Sequence, residues 1–234
     1  MAEFIYDNQS IHYEIAGVEE FKLKTPVLLL HGNGEDMHIF DEMIAPLLSS
    51  RGFILMDSRT QGESHALTGG SEQLSYSIMA DDAIALMNYL DIGEYDIVGY
   101  SDGGIIALIM AMRTYNVRRL ITIGVNTDPS GLTSKAVREI RAEQRRAGRA
   151  KDPHKAELMR LMLEEPHITL HDLAGVIAET TIVLGRKDGL IDHKHSEKIA
   201  DAIPRASHKY IENAGHDIPR THAGVLSDMI RTLL

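Results

Sequence analysis

Gly99-Tyr100-Ser101-Asp102-Gly103-Gly104 separates an apolar stretch, Asp96-Ile97-Val98-Gly99-Tyr100, from a very apolar one that runs from Gly103 to Arg113. The first reads as a strand and the second as a helix. A serine at the tip of a sharp strand-to-helix turn sits in strained backbone geometry, so its neighbours two residues away must be small. Gly99 and Gly103 leave that room, and the Ser101 oxygen is expected to project above a sheet. The N-terminal amides of the following helix would then lie under any oxyanion that forms. A bare Gly-x-Ser-x-Gly occurs often by chance. Its place between strand and helix is what makes Ser101 a candidate nucleophile.

On either side of this turn the chain alternates strands and helices. Phe4–Tyr6 and Ile11–Ile15 flank the turn-formers Asp7-Asn8-Gln9-Ser10 and predict an antiparallel hairpin. Pro26-Val27-Leu28-Leu29-Leu30 is apolar on both faces and predicts a buried strand. The Gly-rich His31-Gly32-Asn33-Gly34 follows, then a helix to about Ser50, and Phe53–Met56 is a further buried strand. Helices are expected at Ser75–Leu90, Ser196–Ala202 and Ala223–Leu234, and strands at Leu120–Val125, Thr180–Leu184 and Lys209–Ile211. This rhythm predicts an α/β protein with a mostly parallel central sheet and helices on both faces. Residues 126–178 break the rhythm with two helical runs, Lys135–Ala147 and His154–Glu164. A structureless connection of that length is uncommon, so a helical lid inserted into a core of 1–125 and 179–234 is expected.

Composition narrows the function. The chain has 234 residues, 44% of them apolar, enough for one ordinary core. Its formal charge of −10 opposes binding to nucleic acid or anionic membranes. The local basic run from Lys135 to Lys155 reads as a solvated helix face. With no cysteine, disulfides, thiolate metal sites and cysteine nucleophiles are excluded. The N-terminal residues lack the basic and apolar regions of a secretory signal, and no apolar run reaches the roughly 18 residues of a membrane span. The expectation is a cytoplasmic protein without a membrane partner. No dinucleotide or phosphate loop is present, and no cofactor is expected.

With these motifs placed, the chain resembles the α/β-hydrolase superfamily from about Pro26 to the C-terminus. In that family a His-Gly-x-Gly after an early strand supplies an oxyanion-hole amide. The resemblance therefore implies that the backbone N–H groups of Asn33 and Asp102 pair as the oxyanion hole, with His31 structural. Asp57-Ser58-Arg59-Thr60-Gln61-Gly62-Glu63-Ser64 resembles a structural turn of the family, with Thr60 where glycine is usual. A serine hydroxyl needs a base, and the base needs an orienting acid. Gly215-His216-Asp217 follows the last strand and resembles the family's Gly-His loop, which implies His216 as base. Leu184-Gly185-Arg186-Lys187-Asp188-Gly189 resembles its Gly-x-x-Asp motif, which implies Asp188 as acid, with Asp192 in reserve and Asp217 a surface neighbour.

The reaction so implied is hydrolysis of a small carboxylic ester or thioester through an acyl-enzyme. A ligand-sensing binder and a cofactor-free perhydrolase or lyase on the same residues are the rival readings. The Asp102 carboxylate would favour a cationic amine near the site. His193-Lys194-His195 and His167 with His171 lack a convergent carboxylate set, so no metal is expected. Leu158, Met159 and Met162 fall at helical spacing, as lid core or pocket lining.

Overall fold

The computed structural model describes residues 2–18, 25–69 and 74–234. The chain opens with an antiparallel hairpin, β1 (Ala2–Tyr6) and β2 (Gln9–Gly17), joined through Asp7 and Asn8. Both turn residues have positive φ, 49° and 55°, the mirror-image turn that matches strand twist in a two-residue hairpin. The buried strand β3 (Val27–Leu30) follows. Next comes α1 (Asp41–Ile44), with 3-10 turns at Met37–Phe40 and Ala45–Leu47 on either side. One longer helix to Ser50 was expected here. Pro46 lies in the first turn of the second 3-10 segment, where its missing N–H and ring end α-helical hydrogen bonding.

β4 (Gly52–Met56) and a short unforeseen strand, β5 (His65–Ala66), precede α2 (Tyr76–Tyr89), which Ser75 caps by accepting from the Ser77 amide. Then come β6 (Tyr95–Tyr100), α3 (Asp102–Arg113) and β7 (Val117–Ile123). Three helices, α4 (Ser134–Ala150), α5 (Pro153–Glu164) and α6 (Leu170–Leu173), occupy the long connection to β8 (Glu179–Gly185). The chain closes with α7 (His193–Ala202), β9 (Ala206–Ile211), α8 (Ile218–Thr221) and α9 (Ala223–Leu233).

Among the described residues the strands form one sheet in the order β1-β2-β4-β3-β6-β7-β8-β9, with β5 paired to β2. Pairing is antiparallel from β1 to β4 and parallel from there to β9. Side chains alternate across a pleated strand, and this divides the apolar runs between two cores. Leu28, Leu30, Ile54 and Ile97 pack on one face with α2 and α3; Val27, Leu29, Phe53, Leu55 and Val98 pack on the other with Met43, Leu226 and Ile230. A strand covered on both faces has no polar side, which is why these segments read as unbroken apolar runs. Among the described residues no helix is long and apolar enough to cross a membrane.

Register places the functional loops. Leu30 is level with Met56 on one side and Gly99 on the other, and Gly185 is level with Ile211. The segments carrying Asn33, Asp57, Ser101, Asp188 and His216 all leave the carboxyl end of the sheet, where open α/β sheets bind ligands.

The Asp57–Ser64 turn buttresses that end. Arg59 is 1% exposed and clasps Asp82 of α2 at 2.6 and 2.8 Å and Asp7 at 3.1 Å. The two oxygens of Asp57 accept from the amides of Met37 and Glu63, and Gln61 accepts from the Gly34 amide. Thr60 adopts φ 60°, a conformation that glycine enters freely and a β-branched residue enters only under strain. Removing Asp82 leaves the buried Arg59 charge with only the exposed Asp7 as partner, so Asp82→Ala is expected to lower unfolding free energy by about 3 kcal/mol. Urea denaturation checks this; a loss below about 1 kcal/mol would show that the pair contributes no more than a surface contact.

Candidate active site

Ser101 sits at φ 52°, ψ −116°, between β6 and α3. The turn holds this geometry because backbone passes where side chains would be. A Cβ on Gly103 would lie 2.0 Å from the Leu30 carbonyl oxygen, and one on Gly99 2.3 Å from that of Gly103. Glycine is the residue both positions tolerate. Ser101 is 8% exposed, with its hydroxyl directed toward the His216 ring.

His216 Nε2 lies 3.1 Å from Ser101 Oγ, and Nδ1 lies 2.8 Å from Asp188 Oδ2. A carboxylate only accepts, so Nδ1–H is the donor to Asp188 and the Nε2 lone pair faces the serine hydroxyl. The other Asp188 oxygen, Oδ1, accepts from the amides of Leu190 at 2.8 Å and Ile191 at 3.0 Å. Burial alone would raise the pKa of Asp188. The hydrogen bond from His216, together with those two amides, outweighs it and holds the carboxyl below its ordinary value.

The remaining predicted residues fall into distinct places. Asp192, the reserve acid, caps α7 by accepting from the His195 amide at 3.0 Å and does not meet His216. Asp217 pairs with Arg220 on the surface at 3.2 Å. The buried His31 bonds the Gly32 carbonyl through Nδ1 and accepts from the Ser58 amide through Nε2, which ties the Gly-rich loop to the Asp57 turn. Among the described residues no group of three or more histidines, aspartates or glutamates is placed to hold a metal ion.

Asp102 is the first residue of α3, so its amide has no intrahelical acceptor. Among the described residues neither it nor the Asn33 amide donates to a protein acceptor. The side chains of these two residues are tied together: Asn33 Nδ2 donates to Asp102 Oδ2 at 2.8 Å and to the Leu158 carbonyl of α5 at 3.2 Å. The expectation that the Asp102 carboxylate attracts a cationic group is corrected here. It is 4% exposed, lies outside the cavity wall, and is already held by Asn33 and Tyr76. Burial raises its pKa to about 6, against the lowering effect of those two side chains.

A cavity of about 640 Å³ opens onto Ser101 and His216, and α4 and α5 wall it with Ile140, Met159 and Met162. Leu158, 5% exposed, does not border this cavity. The basic run on α4 is not wholly a solvated face, because Arg138 and Arg146 line this cavity.

Sequence reasoning missed three residues of the site, Tyr100, Glu35 and Gly124. The Tyr100 ring lies 5.4 Å from the His216 ring. Glu35 borders the cavity and pairs with Arg220 at 2.8 Å. Gly124, just past β7, has φ 64°, and a Cβ there would lie 2.7 Å from His216 Cε1. A glycine ending a strand that reaches the catalytic edge was the available signal. Gly124→Ala is expected to displace the imidazole and cut turnover about 100-fold with folding retained, since misplacement near 1 Å costs that much. Kinetics beside a thermal melt checks this; full activity in the variant would show that the ring has room to spare.

A family model for the alpha/beta hydrolase fold matches residues 25–150. The chain belongs to the α/β-hydrolase fold family. It is 24% identical over 239 residues to a Haemophilus influenzae protein that carries the name of an esterase/lipase, covering 88% of this chain and 82% of that one. A carboxylesterase structure from Nitrososphaera gargenis superposes with a TM-score of 0.83 at 17% identity, covering 99% of this chain and 97% of that one. The meta-cleavage product hydrolase of Pseudomonas fluorescens gives 0.80 at 18%, covering 100% and 97%.

Proposed function

We propose that the protein is a serine hydrolase that cleaves a small carboxylic ester, or a thioester, through an acyl-enzyme. One observation carries the reading: Ser101 Oγ, His216 and Asp188 form a continuous hydrogen-bonded chain at the mouth of the cavity. His216 takes the hydroxyl proton as Ser101 attacks the substrate carbonyl. Asp188 keeps the imidazole in the accepting tautomer and stabilises the imidazolium that results. The amides of Asn33 and Asp102 serve as the oxyanion hole, each contributing about 3–4 kcal/mol by analogy with other acyl-transfer sites.

His216 then returns the proton to the departing alcohol or thiol. Water, activated by the same ring, releases the acid and regenerates Ser101. Helices α4 to α6 act as a cap, with residues 126–178 inserted into the core fold. Met159, Met162 and Ile140 give an aliphatic wall to the acyl or alcohol chain. The names carried by the esterase/lipase and carboxylesterase relatives agree with this chemistry.

A fluorophosphonate probe followed by mass mapping tests the reading. A single adduct on Ser101, together with steady-state turnover of a p-nitrophenyl ester, is expected. An unlabelled Ser101 defeats the proposal. Labelling without sustained turnover points instead to a ligand-sensing binder on the same fold.

A further inference from the structure

A second cavity, of about 570 Å³, adjoins the first and is bordered by Thr60, Gln61, His154, Lys155 and Leu158. Asn33, Glu35 and Met159 belong to the walls of both cavities, and of the three only Glu35 is ionisable. Its Oε1 accepts from Arg220 Nη1 at 2.8 Å. Its Oε2 is buried with no hydrogen-bond partner among the described residues. The charged and titratable groups facing it are Arg220, Asp217 and His216, and Arg220 is shared with Asp217. Burial, partly offset by Arg220, raises the Glu35 pKa.

Most other charges on these walls are spoken for. Glu143 takes both Arg146 at 2.6 Å and Lys155 at 2.5 Å, and Glu139 faces Lys135 at 3.8 Å. Arg138 is exposed and forms no ion pair among the described residues, so it is the other charge on these walls open to a ligand, and an anionic one. Glu35 is therefore the half-buried charged group on these walls with acceptor capacity left over; Thr60 Oγ1, on the second cavity alone, is a neutral buried oxygen that also lacks a partner among the described residues. Oε2 is screened from solvent, so a ligand donor meets it only as the Glu35 side chain turns toward the cavity. An acceptor so placed without a protein donor favours a ligand that brings one and discriminates against its capped analogue.

We propose that Glu35 determines specificity, selecting esters that carry a hydrogen-bond donor, a hydroxyl or an ammonium, on the part that passes between the two cavities. The assignment rests on the ester-hydrolase reading. The Cα atoms of Asn33 and Glu35 are at most about 7 Å apart, so Glu35 belongs to the same loop as the proposed oxyanion amide of Asn33.

The test is a set of size-matched esters whose alcohol ends in hydroxyl, ammonium, methoxy or carboxylate, with a second series varied on the acyl side, followed by acid release. In the wild type, kcat/KM for a donor-bearing ester is expected to exceed that of its methoxy twin by at least about tenfold in one series. Glu35→Ala is expected to bring the ratio close to one. Glu35→Gln, which keeps an acceptor oxygen but no charge, should retain a hydroxyl preference and lose an ammonium preference, so it separates the two donors. It also supplies the comparison if Glu35→Ala does not fold.

Equal rates for donor and methoxy esters in the wild type overturn the proposal. So does a Glu35→Ala variant that slows every ester by one factor, the mark of a structural role. Preference for the carboxylate ester overturns it in favour of Arg138. Absence of any ester turnover removes the underlying hydrolase reading as well, whereas a flat panel with Ser101-dependent turnover removes the Glu35 assignment alone.

Discussion

Ser101→Ala is expected to lower ester turnover by roughly 10⁴–10⁶ while the protein keeps its fold, as in comparable triads. The fold survives because the side chain does little structural work. The Ser101 backbone is fixed by neighbours: its amide donates to the Ile123 carbonyl, and the backbone of Gly103 packs onto that of Leu30. Alanine keeps Cβ and loses one hydrogen bond, to His216. Chemistry suffers because no other group can attack from that point. The amides of Asn33 and Asp102, proposed as the oxyanion hole, remain and would account for residual catalysis over water. Steady-state kinetics, a fluorophosphonate blank and a matched thermal melt check the three parts together. A variant that retains more than about 1% of wild-type turnover would place the nucleophile elsewhere.

What could be read from sequence was what the backbone imposes locally. The Ser101 turn was legible because strain at a non-glycine residue with positive φ demands small neighbours, and Gly99 and Gly103 supply them in print. The central strands were legible because burial on both faces removes polar residues from them. Asp188 and His216 were singled out through motif order, and each lies in a loop leaving the same sheet edge, 2.8 Å apart. Contacts between distant loops had no such signature. Glu35 and Arg220 are 185 residues apart, and Asn33 reaches Leu158 across 125. Asp102 was misplaced for the same reason. Position after the serine says where its amide points, while the burial of its carboxylate depends on Tyr76 and Asn33 from other elements. The start of α7 was hidden too, because His193-Lys194-His195 is polar and only the Asp192 cap marks the boundary.

Asp188→Asn is expected to reduce turnover by about 10⁴ near neutral pH, through the wrong imidazole tautomer rather than lost geometry. Asp188 Oδ1 must accept from the amides of Leu190 and Ile191, so the asparagine carbonyl takes that place and its NH₂ faces His216 Nδ1. A donor there forces Nδ1 to accept, and the ring proton moves to Nε2, where it confronts the Ser101 hydroxyl and cannot receive its proton. Stability has its own pH signature. The Asp188 pKa is lower folded than unfolded, so its ionised form stabilises the fold fully above about pH 4 and ceases to do so as pH falls through the folded value. The variant should therefore unfold more easily than wild type at neutral pH, with the gap narrowing below pH 4. Kinetics paired with urea unfolding at pH 7 and pH 3 reads both effects. Turnover within tenfold of wild type would show that the orienting acid lies elsewhere, and a gap that widens in acid would contradict the lowered pKa expected from the His216–Asp188 hydrogen bond.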